Sequence, residues 1–338
     1  MKKLIGWLAA FALFATPSAW ASNGSYSGLY VFGDSLVDSG NAYFGTGGAE
    51  ASPANGYFLG RFSNGFNFAD YLSLMITHAP ATPLAAGGLN VAVGGATAQY
   101  VPGEISPSFL GQLKLYSDNV GLPIDSNALV LLTFGGNDVR DTILTGGNID
   151  FAPALTDFVK GVNALYLAGA RNFLIVGAPD IGLLPESIAT AGGIAGRLDD
   201  LTLRSQQISA GLGTITAGLA SVPGVEAKYF DLFGYEHDLL ANPTAYGLPA
   251  TLNTSIPCQT PGTGVPQVVQ CANSLYFDGI HPTTQVHKAI ATAIAGQLGI
   301  SAVPEGQVWV LLILGFGGAG AALRRRRALA ARLLLPVA

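Results

Sequence analysis

Short runs of apolar residues recur along the chain and are separated by stretches in which apolar residues fall at helical spacing. The runs cover residues 29–32, 89–93, 129–134, 173–176 and 225–230. Most are apolar almost throughout, as is typical of parallel strands that are buried on both faces. Helical stripes lie within residues 155–166, 201–219 and 286–298, the last of them after Pro282. This alternation predicts an α/β fold in which helices cover both faces of a parallel sheet.

The part of the chain between residues 22 and 302 is predicted to form one domain. It has no evident linker and no internal repeat. About 280 residues is an ordinary size for a single α/β domain. Residues 45–56 and 242–264 carry little charge and follow neither period, so we predict long surface loops there.

Polar residues follow the predicted strands where a parallel sheet presents its ligand-binding edge. Gly-Asp-Ser-Leu follows the first strand at residues 33–36, Gly-Gly-Ala-Thr the second at 94–97, and Gly-Gly-Asn-Asp the third at 135–138. Asp-Gly-Ile-His at 278–281 precedes the last helix. We therefore expect a hydroxyl, a backbone amide, a carboxamide and an Asp/His pair to meet at one edge of the sheet.

These groups are the ones that acyl transfer requires. A serine is a weak nucleophile until a base takes its proton. His281 can be that base for Ser35, and Asp278 can orient the imidazole and stabilise its cation. Gly95 can bring a backbone N–H close to a developing oxyanion because no side chain intervenes. Asn137 can donate a side-chain N–H to the same oxygen.

The four blocks, in this order, resemble the GDSL or SGNH family of esterases and lipases. The resemblance implies a triad of Ser35, His281 and Asp278, and an oxyanion hole formed by Ser35, Gly95 and Asn137. It implies a three-layer α/β/α sandwich of the flavodoxin type, and chemistry that needs no metal or organic cofactor. Further blocks resemble the branch with plant GDSL lipases, thermolabile-haemolysin-like proteins and autotransporter esterases; they lie at residues 37–41, 60–65, 169–171 and 242–247.

Each of the main residues also has a purely structural interpretation. Ser35 alone fits a helix N-cap, and Asn137 alone fits a turn. His281 alone fits a hydrogen-bonded core histidine. Their occurrence together, in the order of the family, favours the catalytic interpretation.

Other acids and a second glycine near this edge of the sheet also need an assignment. Asp34, Asp38 and Asp138 are expected to be structural, because short acidic side chains hold loops by accepting hydrogen bonds from backbone amides. Gly94 and Gly95 both match the family's oxyanion glycine, and we choose Gly95.

The N-terminus has the three parts of a secretory signal peptide. Lys2 and Lys3 precede an apolar run at residues 4–15, and Ala19-Trp20-Ala21 supplies a small-x-small cleavage site. The run is short for a membrane span. We therefore expect residues 1–21 to direct export, and the alternative is a buried N-terminal helix.

Residues 303–338 resemble the PEP-CTERM sorting tail of Gram-negative bacteria. Val303-Pro304-Glu305 opens the tail, an uncharged apolar run follows at 308–323, and arginines occupy 324–327. As a helix, this run would span about 24 Å, which is short of the hydrocarbon core of about 30 Å. The resemblance implies removal by a membrane-bound sorting protease, and the alternative is a retained inner-membrane anchor. In either case the domain is expected outside the inner membrane: in the periplasm, on the cell surface or in the medium.

The composition of the chain limits the partners that it can be expected to bind. Only 11% of the residues are charged, against about 25% in an average domain, while 49% are hydrophobic. Residues 22–302 contain nine basic and 20 acidic side chains, so we expect no nucleic-acid partner.

The sequence has no Cys-x-x-Cys or His-Glu-x-x-His motif for a metal. Cys258 and Cys271 predict a disulfide in an exported protein, and two buried free thiols are the alternative.

Together these features predict an exported serine hydrolase that cleaves carboxylic esters. The substrate would be a small-molecule, lipid or acylated-glycan ester. One alternative is a catalytically idle surface protein that binds glycan or lipid in the same cleft, and another is a polysaccharide deacetylase with the same chemistry. The complete set of Ser35, Asn137 and His281 favours an active enzyme over an idle relative.

Overall fold

The computed structural model describes residues 26–259 and 270–300. The predicted signal peptide at 1–21 and the predicted tail at 303–338 lie outside the described residues. Within the two described ranges, no helix is both long and apolar enough to cross a membrane.

Parallel strands form the sheet at the centre of the described part of the chain. They are β1 (Leu29–Gly33), β2 (Leu129–Thr133), β3 (Asn172–Val176) and β4 (Glu226–Phe230), hydrogen-bonded in the order β1-β2-β3-β4. The strands begin in register: Leu29 pairs with Leu129, Leu129 with Asn172, and Asn172 with Glu226. All of β1 and β2 is buried, so both faces of the sheet are covered. These strands confirm four of the five predicted ones.

The fifth prediction, a regular strand at residues 89–93, is wrong in part. Val31 donates to the carbonyl of Leu89 (3.1 Å) and accepts from the N–H of Val91 (2.7 Å), so this segment does run beside the free edge of β1. Only Asn90 forms a β-bridge with Val31. Val93 donates to the carbonyl of Gly33 (3.0 Å), but the N–H of Gly33 donates to the side chain of Gln112 (2.9 Å) and not to this segment, so the ladder is incomplete. With this segment counted, the spatial order is that of flavodoxin-type sheets.

Helices cover the two faces of the sheet. Their bounds are α1 (Asn41–Gly45), α2 (Phe68–Thr77), α3 (Phe109–Asn119), α4 (Gly136–Arg140), α5 (Ala152–Leu167), α6 (Pro185–Ala191), α7 (Arg197–Ala220), α8 (Leu232–Ala241) and α9 (Thr284–Leu298). Helices α3, α5 and α7 pack side by side, and α2 packs against α9, which completes a three-layer α/β/α sandwich. The predicted helical stripes fall within α5, α7 and α9 and are confirmed.

A buried ion pair fixes the segment that leads into α2. The side chain of Asn67 accepts the N–H of Asp70 (3.0 Å), and the carboxylate of Asp70 accepts the N–H of Asn67 (3.1 Å), so the two residues cap the helix reciprocally. Arg61 donates to both oxygens of Asp70, at 3.0 and 2.9 Å. The pairing holds the loop before α2 in one conformation beside the site described next.

Candidate active site

Ser35 lies in a tight turn directly after β1. The carboxylate of Asp34 accepts the N–H of Leu36 (3.0 Å), and the carbonyl of Asp34 accepts the N–H of Val37 (3.2 Å). This turn places the Ser35 hydroxyl 2.8 Å from Nε2 of His281. Within the described residues, the backbone N–H of Ser35 donates no hydrogen bond.

Asp278 and His281 share one short loop before α9. Oδ1 of Asp278 accepts the N–H groups of Ile280 (2.8 Å) and His281 (2.7 Å). Nδ1 of His281 lies 2.8 Å from Oδ2 and 2.9 Å from Oδ1 of the same carboxylate. The spacing of three residues lets the loop curl back, so that one carboxylate holds both the backbone and the imidazole.

The charges in this loop define which atom carries the imidazole proton. Burial raises the pKa of Asp278, but the charge and hydrogen bonds of His281, with the N–H of Ile280, more than offset it, so this pKa is lowered. An ionised carboxylate can only accept, so Nδ1 of His281 must donate to it. Nε2 is left with its lone pair toward the hydroxyl of Ser35. The geometry therefore suits transfer of the Ser35 proton to His281.

The two adjacent glycines after residue 93 have different hydrogen bonds. The N–H of Gly94 donates to the carboxylate of Asp38 (3.0 Å). Gly95 is exposed, has a φ of +79°, and within the described residues its N–H has no acceptor. Gly95 is therefore the glycine whose N–H is free for a ligand.

Asn137 lies in the first turn of α4, directly after β2. Its Nδ2 donates to the carbonyl of Ala96 (2.9 Å), which leaves a second N–H on the same nitrogen. Asn137 and Ser35 line the same depression. Ala96 follows Gly95, so the bond from Asn137 ties α4 to the turn that carries the free glycine N–H.

The depression beside Ser35 has a largely apolar wall. The wall is formed by Leu36, Pro179, Ile181, Leu184 and Ile280. Arg140 also lines the depression, and it donates to both oxygens of Glu186, at 2.8 Å to Oε1 and 2.5 Å to Oε2. Arg140 and Glu186 also line a neighbouring depression of about 540 Å³ that includes Leu144.

The acids that the sequence predicts to be structural hold loops around this site. Asp38 accepts four backbone N–H groups, those of residues 40, 41, 42 and 94. Asp138 accepts the N–H groups of residues 98 and 99. Burial raises the pKa of Asp38 and of Asp138 to about 6, and that of Asp34 to about 7. All three acids thus accept hydrogen bonds from backbone amides, as expected of acids that hold loops.

Two aromatic residues at the site were not predicted from the sequence. The hydroxyl of Tyr57 donates to Oδ2 of Asp278 (2.8 Å), and the ring of Phe62 lies against the imidazole of His281 with centroids 5.0 Å apart. The only signal was the block at residues 60–65, which contains Phe62 but says nothing of its contacts. Cys258 and Cys271 form a disulfide, as predicted.

The chain matches a family of known proteins and several individual relatives. A model of GDSL-like lipases and acylhydrolases matches residues 29–294. GDSL esterase/lipase 7 of Arabidopsis thaliana is 26% identical over 318 residues, which cover 78% of this chain and 86% of that protein. The thermolabile hemolysin of Vibrio parahaemolyticus is 28% identical over 282 residues, which cover 78% of this chain and 62% of that protein. The matched range contains every residue of the Ser35–His281–Asp278 chain.

The chain also shows similarity to solved structures. A catalytic mutant of Axe2, an acetylxylan esterase from Geobacillus stearothermophilus, aligns with a TM-score of 0.46 and 14% identity. The alignment covers 83% of this chain and 98% of that one.

Proposed function

The chain belongs to the GDSL-like lipase and acylhydrolase family and is a carboxylic ester hydrolase, and from that premise we propose that it acts through an acyl-enzyme formed on Ser35. The observation that carries the proposal is the continuous chain of hydrogen bonds from the Ser35 hydroxyl through His281 to Asp278. A serine, a base and an orienting acid in this sequence of contacts form the usual activated nucleophile.

The first half of the reaction acylates Ser35. Nε2 of His281 takes the hydroxyl proton as Oγ attacks the ester carbonyl, and a tetrahedral intermediate forms. The N–H groups of Ser35 and Gly95 and the second N–H of Asn137 stabilise its oxyanion. When the intermediate collapses, the imidazolium gives its proton to the departing alkoxide, so the alcohol leaves neutral.

The second half restores the enzyme. Nε2 of His281 takes a proton from water, and the resulting hydroxide attacks the acyl carbonyl on Ser35. The second tetrahedral intermediate expels Oγ, which takes the proton back from the imidazolium. The carboxylic acid is released. Asp278 remains ionised throughout and stabilises the imidazolium in both halves.

The apolar residues that line the depression favour a substrate ester with an apolar acyl or alkyl group. Five apolar side chains line the space beside Ser35, and the charge of Arg140, which lines it too, is paired with Glu186. A lipid or other small apolar ester gains from burial against such a wall, at about 25 cal/mol per Å² of apolar surface. Relatives named as GDSL esterases and lipases agree with this substrate class.

A panel of substrates tests the proposed activity. p-Nitrophenyl esters from acetate to palmitate, with acetylated xylan beside them, should be assayed with the wild-type chain and with Ser35→Ala. We expect hydrolysis of p-nitrophenyl esters by the wild type and none above background by Ser35→Ala. Release of acetate from xylan alone would favour the deacetylase alternative. Binding of substrates without turnover would favour the idle surface protein.

We also propose that the protein is exported by residues 1–21 in a Gram-negative bacterium and sorted by residues 303–338. The disulfide between Cys258 and Cys271 supports an oxidising compartment. Cleavage by a sorting protease near Pro304 would make contact with the inner membrane transient. The intact mass from the native host should lack the arginines at 324–327, whereas a mass that keeps them favours a permanent anchor. Hydrolysis should survive deletion of residues 304–338, because every proposed catalytic group precedes them.

A further inference from the structure

The carboxylate of Asp278 has a hydrogen-bond donor that the proposed mechanism does not use. The hydroxyl of Tyr57, 221 positions away in the chain, donates to Oδ2 at 2.8 Å. The same oxygen accepts from Nδ1 of His281 at 2.8 Å. Oδ1 is already occupied by two backbone N–H groups. Nδ1 of His281 also lies 2.9 Å from Oδ1, so its proton is shared between the two oxygens, whereas Tyr57 donates to Oδ2 alone.

Aromatic packing fixes the ring of Tyr57. It meets Phe277 edge-on, with centroids 5.2 Å apart, and Phe62 at 6.1 Å. Phe62 in turn contacts the imidazole of His281. A Cβ on Gly94 would lie 2.4 Å from the Phe62 ring, so a glycine at that position makes the packing feasible. Tyr57 and the imidazole are therefore held by one aromatic cluster.

Hydrogen bonds fasten the loop of Tyr57 to the loop of the triad. The carbonyl of Asn55 accepts Nε2–H of Gln259 (2.7 Å), and the N–H of Gln259 donates to the carbonyl of Phe277 (2.8 Å). Gln259 follows Cys258, which the disulfide ties to Cys271. The two loops therefore cannot move independently where Tyr57 and Asp278 meet.

We propose that Tyr57 is a positioning residue that holds the Asp278 carboxylate, ionised, in the orientation that directs Nε2 of His281 at Ser35. This inference rests on the proposed function. Without the hydroxyl, Oδ2 keeps only its contact with Nδ1 of His281, so the orientation of the carboxylate about its terminal bond is held less tightly. A buried carboxylate with fewer donors is also easier to protonate.

The hydroxyl of Tyr57 is suited to remain a donor. Burial raises the pKa of Tyr57, and the adjacent Asp278 carboxylate raises it further, so Tyr57 stays protonated across the range in which an esterase works. The contact is therefore a charge-assisted hydrogen bond, which is shorter and stronger than a neutral one.

The experiment compares Tyr57→Phe with Tyr71→Phe. The hydroxyl of Tyr71 is 3.0 Å from Oγ1 of Thr284, is likewise partly buried and does not contact the triad, so its removal is a matched control. For Tyr57→Phe we expect kcat to fall about 10- to 100-fold, the range for one hydrogen bond to a charge, with KM little changed. For Tyr71→Phe we expect kcat within about twofold of the wild type.

The pH profile separates positioning from a general loss of structure. The acid limb of kcat/KM reports the proton bound by the coupled Asp278–His281 pair. Loss of the Tyr57 donor makes this pair hold its proton more tightly, so the limb should move to higher pH in Tyr57→Phe and stay in place in Tyr71→Phe. Rates are expressed per site titrated with a fluorophosphonate, which removes any contribution of unfolded protein.

Ser35→Ala distinguishes failure of this inference from failure of the proposed function. If Ser35→Ala is inactive while Tyr57→Phe retains the kcat and pH profile of the wild type, the assignment of Tyr57 alone is overturned. If Ser35→Ala still hydrolyses esters, the proposed mechanism and the role of Tyr57 are both overturned.

Discussion

Replacing Asp278 with asparagine should reverse the proton arrangement of His281 without disturbing the fold. Oδ1 of Asp278 accepts two backbone N–H groups, so the asparagine oxygen must stay at that position. Its NH2 group then occupies the place of Oδ2, where Nδ1 of His281 and the hydroxyl of Tyr57 now lie at 2.8 Å. The hydroxyl of Tyr57 can rotate to accept one of the two new N–H groups.

The imidazole has to respond to this change. An NH2 group only donates, so the tautomer with Nδ1 of His281 as acceptor and the proton on Nε2 is favoured. The other tautomer would need the amide oxygen, 2.9 Å from Nδ1, to accept a third donor beside its two backbone N–H groups. Nε2–H then points at the hydroxyl of Ser35 and cannot take its proton. Both the oxygen and the NH2 group of the asparagine remain paired in this arrangement, so we expect a melting temperature close to that of the wild type.

The loss of activity follows from the wrong tautomer. The typical cost is about 10⁴-fold in kcat, or about 5.4 kcal/mol in the activation free energy. Steady-state hydrolysis of p-nitrophenyl acetate between pH 6 and 9 would measure it, with melting followed by circular dichroism. Asp231→Asn is the control, because Asp231 caps α8 by accepting the N–H of Gly234 (3.1 Å), and asparagine caps a helix as well as aspartate.

One result would refute this reasoning. A kcat of Asp278→Asn within about tenfold of the wild type would mean that His281 does not depend on Asp278 for its tautomer. A large loss of kcat with an unfolded protein would instead place the effect in the loop structure. Asp231→Asn should match the wild type in both measurements.

Three further changes test other parts of the site and its surroundings. Asn137→Ala should lower kcat by about 10²–10³ with a smaller change in KM, as expected for one oxyanion donor, and a change confined to KM would contradict that role. Gly94→Ala should lower the free energy of unfolding by about 1–3 kcal/mol and should also lower kcat, because its Cβ would lie 2.4 Å from the ring of Phe62. A denaturant titration and a kcat like those of the wild type would instead show that the ring has room to move. Burial raises the pKa of Glu236 from 4.5 to about 8, so its ionisation destabilises the fold progressively as pH rises from about 4.5 to 8. The melting temperature of Glu236→Gln relative to the wild type should therefore increase between pH 5 and 9, and a constant difference would argue against a raised pKa.

The parts of the site that follow strands could be predicted from the sequence. Ser35 and Asn137 come directly after β1 and β2, and the carboxyl ends of parallel strands meet at one edge. Asp278 and His281 are three residues apart, so their contact needs only a local turn. In each case a short segment of sequence and one general rule of chain geometry are sufficient to predict where the residue lies.

The contacts between distant loops could not be predicted. Tyr57 lies in a loop without periodicity, 221 positions from Asp278, and no local rule pairs them. The apolar run at 89–93 predicted a regular strand, because an apolar pattern does not reveal that the N–H of Gly33 donates to the distant side chain of Gln112 and not to this run. The choice between Gly94 and Gly95 also needed coordinates, since it depends on which N–H reaches Asp38.

Labelling with a fluorophosphonate tests the central claim most directly, because the reagent forms a covalent bond only with an activated serine. The wild-type chain should gain one phosphonyl group by intact mass, and peptide mapping should find it on Ser35, with hydrolysis lost in proportion. His281→Ala should label far more slowly, because the base that activates Ser35 is absent. A phosphonyl group on any other serine, or full hydrolysis after Ser35 is labelled, would contradict the account.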